Sequence, residues 1–521
     1  MNIIKCRIDF KKILRKYNFI LILVCCISCT KMMDTDPTYF YTDDSFWKTS
    51  SHAIEAVNGC YRALNSGNLF GSDMAPFFNF ENMTPNSFHK DNNQNTRDYA
   101  TGNHTGTTLG MNNVIWTGCY AGIGRCNNVI DKVPEIDMDV NLKNRIVAEA
   151  KFLRAFYYWT MNSVFNGVPL VLTSPNMEEH GRLPRNTHAE VKAQIIKDLD
   201  EAAPHLETRY SAAEDGRATK GACYALKARV LLQDLDYAGT VAACENLFAL
   251  NRYALFPNYN GMFRQANRGN SEIIFDVRWI YPTLYANYDI YHAQYNIQVP
   301  VQGLIDAYQA TDGKSISESN VYDPAKPFEN RDPRLAQSIH WIGRPWRGTI
   351  ADEQHFHVSG FIFTKYTEYV NATTSATISN SYTPYVLLRY GDVLLMYAEA
   401  LNELNGPVEG VYKAVNDVRG RESVKMPPLP VGLSKEAMRE AIRLERRIEM
   451  AGEGDYFYAI RRWKTIETEM NASVYAGNLG GKYQGQLLET RKFNPQRDYF
   501  WPIPYTQIDL NPALVQDSGY K

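Results

Sequence analysis

The sequence has few cysteines for its length, and they do not form a disulfide framework. Nine of its 521 residues are Cys, and four of these lie within the first 29 residues. The other five are Cys60, Cys119, Cys126, Cys223 and Cys244. An odd, sparse set excludes a disulfide-rich scaffold and predicts small buried apolar side chains. One pair, Cys119–Cys126, is conceivable, but a spacing of seven residues within one helix suits a disulfide poorly.

The chain also lacks an excess of basic residues and a long apolar run. The first 28 residues hold six of the 55 basic residues and one of the 57 acidic ones, so the remainder is mildly acidic. This balance argues against a nucleic-acid partner, which requires a dense basic face. No stretch approaches 18 consecutive apolar residues, so we expect no membrane span. The 45% apolar content indicates a globular protein.

The N-terminus resembles a secretory signal. A basic segment runs to Lys16, nine apolar residues follow at 19–27, and Ser28 precedes Cys29. Nine apolar residues suffice for a cleaved signal but not for a bilayer span. An apolar run, a small residue and a cysteine form the layout of a bacterial lipoprotein signal. We therefore predict a signal peptide at 1–28 and lipidation of Cys29, which anchors the protein to a membrane. The alternative is simple cleavage and secretion.

Apolar residues recur at helical spacing over much of the chain. The segments with this pattern are 46–64, 116–133, 141–164, 188–206, 217–235, 237–250, 386–404, 408–421 and 434–463. Small residues at the contact of the 217–235 and 237–250 pair resemble a tetratricopeptide unit. The pattern is lost between about 253 and 385, where 272–279 suggests a short strand.

The predicted fold is therefore mostly α. It comprises a tetratricopeptide-like helical-repeat scaffold with a large irregular, loop-rich insertion that carries short strands. The helical repeats lie at about 116–250 and 386–463, and the insertion at about 253–385. Insertions into repeat scaffolds usually map to one face, often the binding face, so we expect the ligand there. Residues 69–110 are interpreted as a long ordered loop region.

Motifs for catalysis, metals and cofactors are missing. The sequence contains no HExxH and no GxSxG, and its two lysine-containing glycine loops each lack the first glycine of a phosphate-binding loop. His355-Phe-His357 places two imidazoles on one face of a possible strand, but two ligands do not make a zinc site. We therefore predict no catalytic residues, no metal and no cofactor.

Two groups of charged residues have alternative interpretations. Asp392 and Glu399 lie in an otherwise apolar helix beside Arg389. They are either a buried acid/base pair or structural carboxylates, with Arg389 and Asp392 neutralising each other; we favour structure. The charged stretch at 445–455 is interpreted as a solvated or inter-helix salt-bridged face.

Several motifs, taken in order, identify a family. They are Thr42-Asp-Asp-Ser-Phe46-Trp47, Trp116…Tyr120…Asn127-Asn128, Ala148-Glu149…Arg154-Ala-Phe-Tyr157, Leu388-Arg-Tyr-Gly-Asp392…Glu399, Arg443…Glu449 and Tyr499-Phe-Trp-Pro502-Ile-Pro504. Together they closely resemble the RagB/SusD family of Bacteroidetes outer-membrane nutrient-binding lipoproteins, over essentially the whole mature chain. One departure is Gln516-Asp-Ser-Gly519, where the family commonly has Gln-Asn-Pro-Gly.

The resemblance has implications for fold, place and partners. It implies a single domain at 29–521 with four tetratricopeptide-like units. It implies a lipid-anchored, surface-exposed outer-membrane protein that caps a SusC-type TonB-dependent transporter. It further implies that the protein binds an oligosaccharide or polysaccharide and delivers it without catalysis. The family motifs themselves do not name the ligand.

Candidate ligand-binding residues come from three aromatic segments. A sugar site needs aromatic faces together with amides or charges. The free energy gained by burying one ring is too small on its own to offset the cost of association. The segments lie at 279–295, 341–347 and 79–95, and we expect the indoles of the second to be exposed. The candidates are Phe88, His89, Trp279, Tyr281, Tyr285, Tyr291, Trp341 and Trp346. Tyr288, Tyr291 and Tyr295 also have helical spacing, which fits core packing equally well.

Three hypotheses for the function follow. The first is a glycan-binding lipoprotein, which the aromatic loops without catalytic motifs favour. The second is a surface glycoside hydrolase, which needs two carboxylates at a set separation in a cleft. The third is an adaptor subunit of the transporter that holds no sugar, and it would bury all of these aromatics. A peptide ligand, in place of a glycan, is compatible with the same SusD-like fold.

Overall fold

The computed structural model describes residues 42–71, 76–280, 282–368 and 381–520. Helices dominate this part of the chain, and the strands are short. The longer helices are α1 (Ser50–Leu64), α2 (Met111–Lys132), α3 (Val140–Phe165), α4 (His188–Ala202), α5 (Lys220–Gln233), α6 (Tyr237–Phe248), α7 (Tyr390–Asn405), α8 (Glu409–Arg419) and α9 (Lys435–Glu449). This confirms the predicted mostly α, helical-repeat fold.

Short elements fill the connections. Short α-helices span Asp43–Phe46, Pro76–Asn82, Thr96–Ala100, Met177–His180, Gln302–Ala307, Pro333–Ser338, Tyr456–Trp463, Ile466–Glu469 and Tyr505–Leu510. The strands are β1 (Ser87–His89), β2 (Ile273–Val277), β3 (Gln298–Pro300), β4 (Ile339–Trp341), β5 (Pro345–Trp346), β6 (Thr349–Ile350), β7 (Phe361–Phe363), β8 (Tyr385–Arg389), β9 (Ser473–Tyr475) and β10 (Leu487–Thr490). They form antiparallel pairs: β1–β3, β2–β8, β4–β7, β5–β6 and β9–β10.

Side-chain caps mark the starts of several long helices. The side chains of Thr49, Asp139, Thr219 and Ser434 each accept a backbone N–H from the first turn of α1, α3, α5 and α9. Thr187 forms a reciprocal capping box with Glu190 at the start of α4. Each cap satisfies a donor that the helix itself leaves unpaired. The Thr49 cap also starts α1 later than the sequence pattern suggested.

The long helices pack in chain order. α1 contacts α2 and α3, α3 packs between α2 and α4, and α5 pairs with α6, which packs on α7. α7 in turn contacts α8 and α9. Helix α3 is the centre of this layer, because its C-terminal part, from Ala148 to Phe165, is almost entirely buried. The predicted helical pairs at 217–250 and 386–421 are therefore present.

The start of the second helical region differs from the prediction. Residues 385–389 form strand β8, paired antiparallel with β2, and helix α7 begins only at Tyr390. Every residue of both strands is buried. A short apolar run that is buried on both faces has no alternation, so periodicity alone cannot separate it from a helix.

Two further segments were assigned wrongly. The helix predicted over 434–463 is broken between α9 and Tyr456–Trp463, where Gly452 and Gly454 adopt φ values of +81° and +77°. Glycine adopts this left-handed region without the steric cost of a Cβ. The predicted loop region at 69–110 contains the helix Pro76–Asn82, strand β1 and the helix Thr96–Ala100. These elements are too short to show a period.

A buried charge network, defined here as Glu272, Arg334, Arg389, Arg421, Glu445, Glu449 and Glu453, ties the insertion to the helical layer. Glu449 on α9 accepts hydrogen bonds from Arg334 at 3.0 Å and from Arg389 and Arg421 at 2.8 Å each. Arg389 also contacts Glu272, next to β2, at 3.0 Å. Burial by itself raises the pKa of Glu449, but the three guanidinium groups outweigh it and hold that pKa well below its usual range.

The network corrects the expectation of a solvated face at 445–455. Glu445, Arg446 and Glu449 are buried, and their ion pairs cross between elements. Of the two alternatives given for this stretch, the inter-helix salt-bridged face is confirmed and the solvated face is wrong. Because each buried charge has several partners, the insertion is fixed to the helices and offers a rigid base for a surface site.

Other predictions are resolved or lie outside the described residues. All five remaining cysteines, including Cys119 and Cys126, are free and buried. Across the described ranges, none of the helices combines the length and the apolarity that a bilayer span requires. The signal peptide at 1–28 and Cys29 lie outside the described residues, and the domain boundaries remain predictions.

Candidate functional site

The pairing of β1 with β3 brings two of the predicted aromatic segments together. Phe88 lies opposite Val299 and His89 opposite Gln298, and the Lys90 N–H continues the pairing to the Ile297 carbonyl at 2.9 Å. This register places residues after 89 beside residues before 298. The segments at 79–95 and 279–295 thus share one surface, although some 200 residues separate them along the chain.

Phe88 and His89 form the floor of this surface and not its face. Phe88 packs in a small apolar cluster with Val299, Val358 and Val474. His89 is 2% exposed, and burial, with the nearby positive charge of Arg97, lowers its pKa to about 3. Neither ring offers a face to a ligand, which corrects the expectation for both residues. The alternation of a short strand could not reveal this, because all three residues of β1 are buried.

A π-helical turn at Ile290–Gln294 presents two tyrosines above that floor. The Tyr295 N–H bonds to the Ile290 carbonyl at 2.9 Å, five residues back. This wider turn leaves Tyr291 half-buried and Tyr295 50% exposed. Asn296 then turns the chain with φ +51° and donates its side-chain amide to the His355 carbonyl at 3.0 Å. π-turns occur often at functional sites.

Charged residues flank the two tyrosines. Lys90 and Asp91 follow β1 and lie 3.7 Å apart. The exposed His357 comes from the neighbouring loop, and partial burial together with the positive charges of Lys90 and Lys482 lowers its pKa. We call the set Lys90, Asp91, Tyr291, Tyr295 and His357 the tyrosine surface. It combines aromatic rings with hydrogen-bond donors and hydrogen-bond acceptors.

Trp346 supports the tyrosine surface from below. It is 1% exposed and packs on Phe356, with ring centroids 5.3 Å apart, in a cluster that includes Ala293 of the π-turn. The expectation of two exposed indoles is therefore wrong for Trp346. The hairpin of β5 and β6 folds the ring inward, and no local pattern in a Gly/Pro-containing segment indicates that direction.

Trp341 is half-buried and has both ring faces covered. Phe328 stacks on it at 4.1 Å with planes 17° apart, and the Arg344 guanidinium lies 4.3 Å from the ring centroid. A stacked ring and a cation over the same indole occupy its two faces. Trp341 is thus less accessible than the loop composition suggested.

The remaining candidates of the segment at 279–295 lie around a small hairpin. Ile280 and Leu284 exchange backbone hydrogen bonds of 2.9 and 2.8 Å. Trp279 before the hairpin is buried against Tyr288, whereas Tyr285 after it is 40% exposed. Trp279 is therefore a core residue, and Tyr285 keeps an accessible face. Tyr281 lies outside the described residues.

The candidate catalytic carboxylates are ion-paired and buried. Asp392 accepts hydrogen bonds from Arg229 and Arg446, both at 2.6 Å, and Glu399 from Arg462 at 2.8 Å. Burial raises the pKa of each carboxyl, but the arginines outweigh it and hold both pKa values below the usual range. The structural interpretation is supported, although the partners differ from the one proposed from sequence.

The two histidines at 355 and 357 do not form a metal site. They lie in a turn and not on a strand, and the His355 ring bonds to Asp352 at 2.7 Å. Throughout the residues that the structure describes, no cluster of three or more His, Cys, Asp or Glu residues has the geometry to hold a metal ion.

The sequence left four members of the tyrosine surface off the candidate set: Lys90, Asp91, Tyr295 and His357. Tyr295 lies in the segment at 279–295 but was not among the candidates, and its helical spacing from Tyr288 and Tyr291 fitted core packing equally well. It follows directly on the π-turn at Ile290–Gln294 and is 50% exposed. His357 was discounted as a member of a strand pair. A sequence signal for Lys90 and Asp91 is missing, because their position depends on the long-range pairing of β1 with β3.

The helical layer and the insertion that the charge network fixes to it define a helical-repeat protein with an exposed aromatic surface. Comparisons with known proteins agree. The model of the SusD family matches residues 262–520, and the model described as "Starch-binding associating with outer membrane" matches residues 55–232. The chain belongs to the SusD family.

Individual relatives extend over nearly the whole chain. The SusD-like protein P2 of Formosa agariphila is 27% identical, covering 97% of this chain and 99% of its own. A SusD-like carbohydrate-binding protein of Bacteroides fragilis has a similar structure, with a TM-score of 0.83 at 26% identity, over 90% of this chain and 100% of its own. A second SusD-like structure from Bacteroides fragilis gives 0.80 at 26% identity, over 93% and 100%.

Proposed function

We propose that this protein is a cell-surface lipoprotein that captures oligosaccharides and delivers them to a SusC-type TonB-dependent outer-membrane transporter. The observation that carries the proposal is the tyrosine surface, where the exposed ring of Tyr295 stands beside Lys90 and Asp91 on a rigid base. Relatives described as a carbohydrate-binding protein and as a laminarin-binding protein support a saccharide ligand.

The composition of the tyrosine surface suits a sugar. An aromatic ring covers the apolar face of a pyranose, and burying about 100 Å² in this way contributes about 2.5 kcal/mol at most. Association itself costs several kcal/mol, so a second contact is required. Tyr291 supplies a second ring one helical turn away, while Lys90, Asp91 and His357 supply donors and acceptors for hydroxyl groups.

The proposal is for binding without catalysis. A glycosidase acid needs a raised pKa and a carboxylate partner in the same cleft. Asp352, beside the tyrosine surface, instead has its pKa lowered by its hydrogen bond to His355. Asp392 and Glu399 are ion-paired in the core. These observations favour a binding protein over the hydrolase hypothesis.

Lipidation of Cys29 and the transporter partner complete the proposal. The family model for residues 55–232 is described as associating with the outer membrane, which supports a place there. We expect Cys29→Ala to move the protein out of the membrane fraction. Unchanged anchoring in that variant contradicts the lipid anchor and leaves the sugar site untouched.

A glycan array probed with the soluble body, residues 30–521, which lacks the lipidated cysteine, tests the proposal. Binding to one family of oligosaccharides supports it and identifies the ligand class. No binding to any plant, host or microbial glycan on the array contradicts it and favours the adaptor hypothesis, which a pull-down of the transporter then tests.

A further inference from the structure

A groove separate from the tyrosine surface opens beside the hairpin at 280–284. It has a volume of about 560 Å³ and lies between the end of α1, the middle of α2 and residues 283–285. Ligand sites in proteins usually span about 300–1,000 Å³. The small residues Gly67, Gly118 and Ala121 line part of the groove on its helical side.

Two arginines give this groove a positive charge that the protein does not neutralise. Its lining includes Arg62 and Arg125 and no acidic residue. Arg125 donates to the Gly59 carbonyl at 3.0 Å and Arg62 to the Asn65 carbonyl at 3.3 Å, so both are held against α1. Neither forms an ion pair with a carboxylate of the described residues. Each guanidinium has five N–H donors, and most stay available.

In a neighbouring groove, by contrast, the arginines are matched by acidic residues. It shares Arg62, Asn65 and Leu284 with the first, has a volume of about 630 Å³, and its lining contains three arginines and three acids. There Arg278 pairs with Asp215 at 2.7 Å and with Asp276 at 2.8 Å. The excess positive charge is thus confined to the side of Arg125.

An aromatic ring faces the same groove. Tyr285 is 40% exposed and lines it together with Leu284 and the polar Asn65. The Asn65 side-chain NH2 donates to the Arg278 carbonyl at 2.9 Å, which leaves its oxygen as an acceptor for a sugar hydroxyl. A ring for the apolar face of a sugar, this amide oxygen and two guanidinium groups for an anion form a set of contacts for one charged saccharide unit.

We propose that this groove binds an anionic saccharide unit through Arg62, Arg125 and Tyr285. The inference rests on the proposed glycan-binding function and specifies that its ligand carries acidic groups. The shared chemistry is a planar or tetrahedral oxyanion, either the carboxylate of a uronic acid or a sulfate ester, which guanidinium groups bind in bidentate fashion. A neutral sugar leaves both charges uncompensated.

Isothermal titration of the mature chain with three tetrasaccharides tests the inference. The probes are an oligogalacturonate with carboxylates only, a carrageenan fragment with sulfates only, and a neutral laminarin fragment. Arg62→Gln/Arg125→Gln is compared with Arg182→Gln/Arg268→Gln, which removes the same charge from exposed arginines outside the groove. Both doubles are checked for an unchanged melting temperature.

We expect one acidic probe to bind. Its affinity should fall at least tenfold in the Arg62→Gln/Arg125→Gln variant and should not change in the Arg182→Gln/Arg268→Gln control. The preferred probe distinguishes a carboxylate from a sulfate. Tyr285→Phe should retain binding and Tyr285→Ala should weaken it. Binding of the neutral probe alone, or equal effects of the two doubles, overturns the inference and leaves the proposed function standing. Binding of no saccharide here or on the array overturns both.

Discussion

The buried charge network and the tyrosine surface are both rich in polar groups, but they differ in how fully those groups are paired. In the network, Glu449 alone accepts hydrogen bonds from three arginines, and every member is buried or nearly so. On the tyrosine surface, Lys90 and Asp91 form one loose pair at 3.7 Å, and Tyr295 is half exposed. Saturated groups stabilise the fold, whereas unsaturated groups are available to a ligand.

The comparison shows why residue type alone did not locate the site. Trp346 and Tyr295 are both aromatic residues of the insertion, yet Trp346 is core and Tyr295 is surface. Asp392 and Asp91 are both carboxylates, yet Asp392 is bound by two arginines. The following predictions test whether pairing and burial separate structural from ligand-binding roles.

Removing the centre of the network should have the largest effect. Glu449→Gln leaves Arg334, Arg389 and Arg421 without their shared anion, so we expect the free energy of unfolding to fall by about 3–5 kcal/mol. Chemical denaturation measures it. Glu440→Gln on the same helix is the matched control, because its carboxylate is 70% exposed and its one ion pair among the described residues is with Arg443; that change should cost less than about 1 kcal/mol. Equal losses contradict the structural role of the network.

Trp346→Ala should destabilise the protein nearly as much. Truncating a fully buried indole leaves a cavity and costs about 3–5 kcal/mol. The cavity lies under the π-turn, so glycan affinity should fall together with the melting temperature. Lost affinity with an unchanged melting temperature shows instead that the indole contacts the ligand directly.

His292 should make stability depend on pH. It is buried in the π-turn, neither ring nitrogen has a hydrogen-bond partner among the described residues, and burial lowers its pKa to about 4. The unfolded chain therefore binds a proton more readily, so stability falls as pH drops from 6.5 to 4, by about 3 kcal/mol. His292→Gln should reduce that slope in denaturation series at several pH values. An unchanged slope assigns the acid sensitivity to other groups.

The local parts of this structure follow from sequence, and the long-range parts do not. Helices α2 to α6 were predicted because the apolar residues that define their period lie within a few positions of each other. The network joins Arg389 and Arg334 to Glu449 across 60 and 115 residues, and no local pattern encodes such pairs. The motifs that identified the family contain several of these residues, Arg389 and Glu449 among them, but the resemblance did not show that they contact one another.

The tyrosine surface, which remains a proposed site, was anticipated only in part for the same reason. Its residues lie in or near the aromatic-rich segments, but which of them are exposed depends on how β1 pairs with β3 and on the π-turn before Asn296. Composition indicated where rings are dense. It could not indicate which rings point outward, since burial is set by residues some 200 positions away.

The most direct test of the account is the glycan affinity of Tyr295→Ala, measured by calorimetry with the oligosaccharide that the array identifies. Tyr505→Ala is the matched control, because Tyr505 is also 50% exposed but lies on the short helix near the C-terminus. We predict at least a tenfold loss of affinity for Tyr295→Ala, none for Tyr505→Ala, and unchanged melting temperatures for both. Wild-type affinity in Tyr295→Ala contradicts the tyrosine surface as the ligand site.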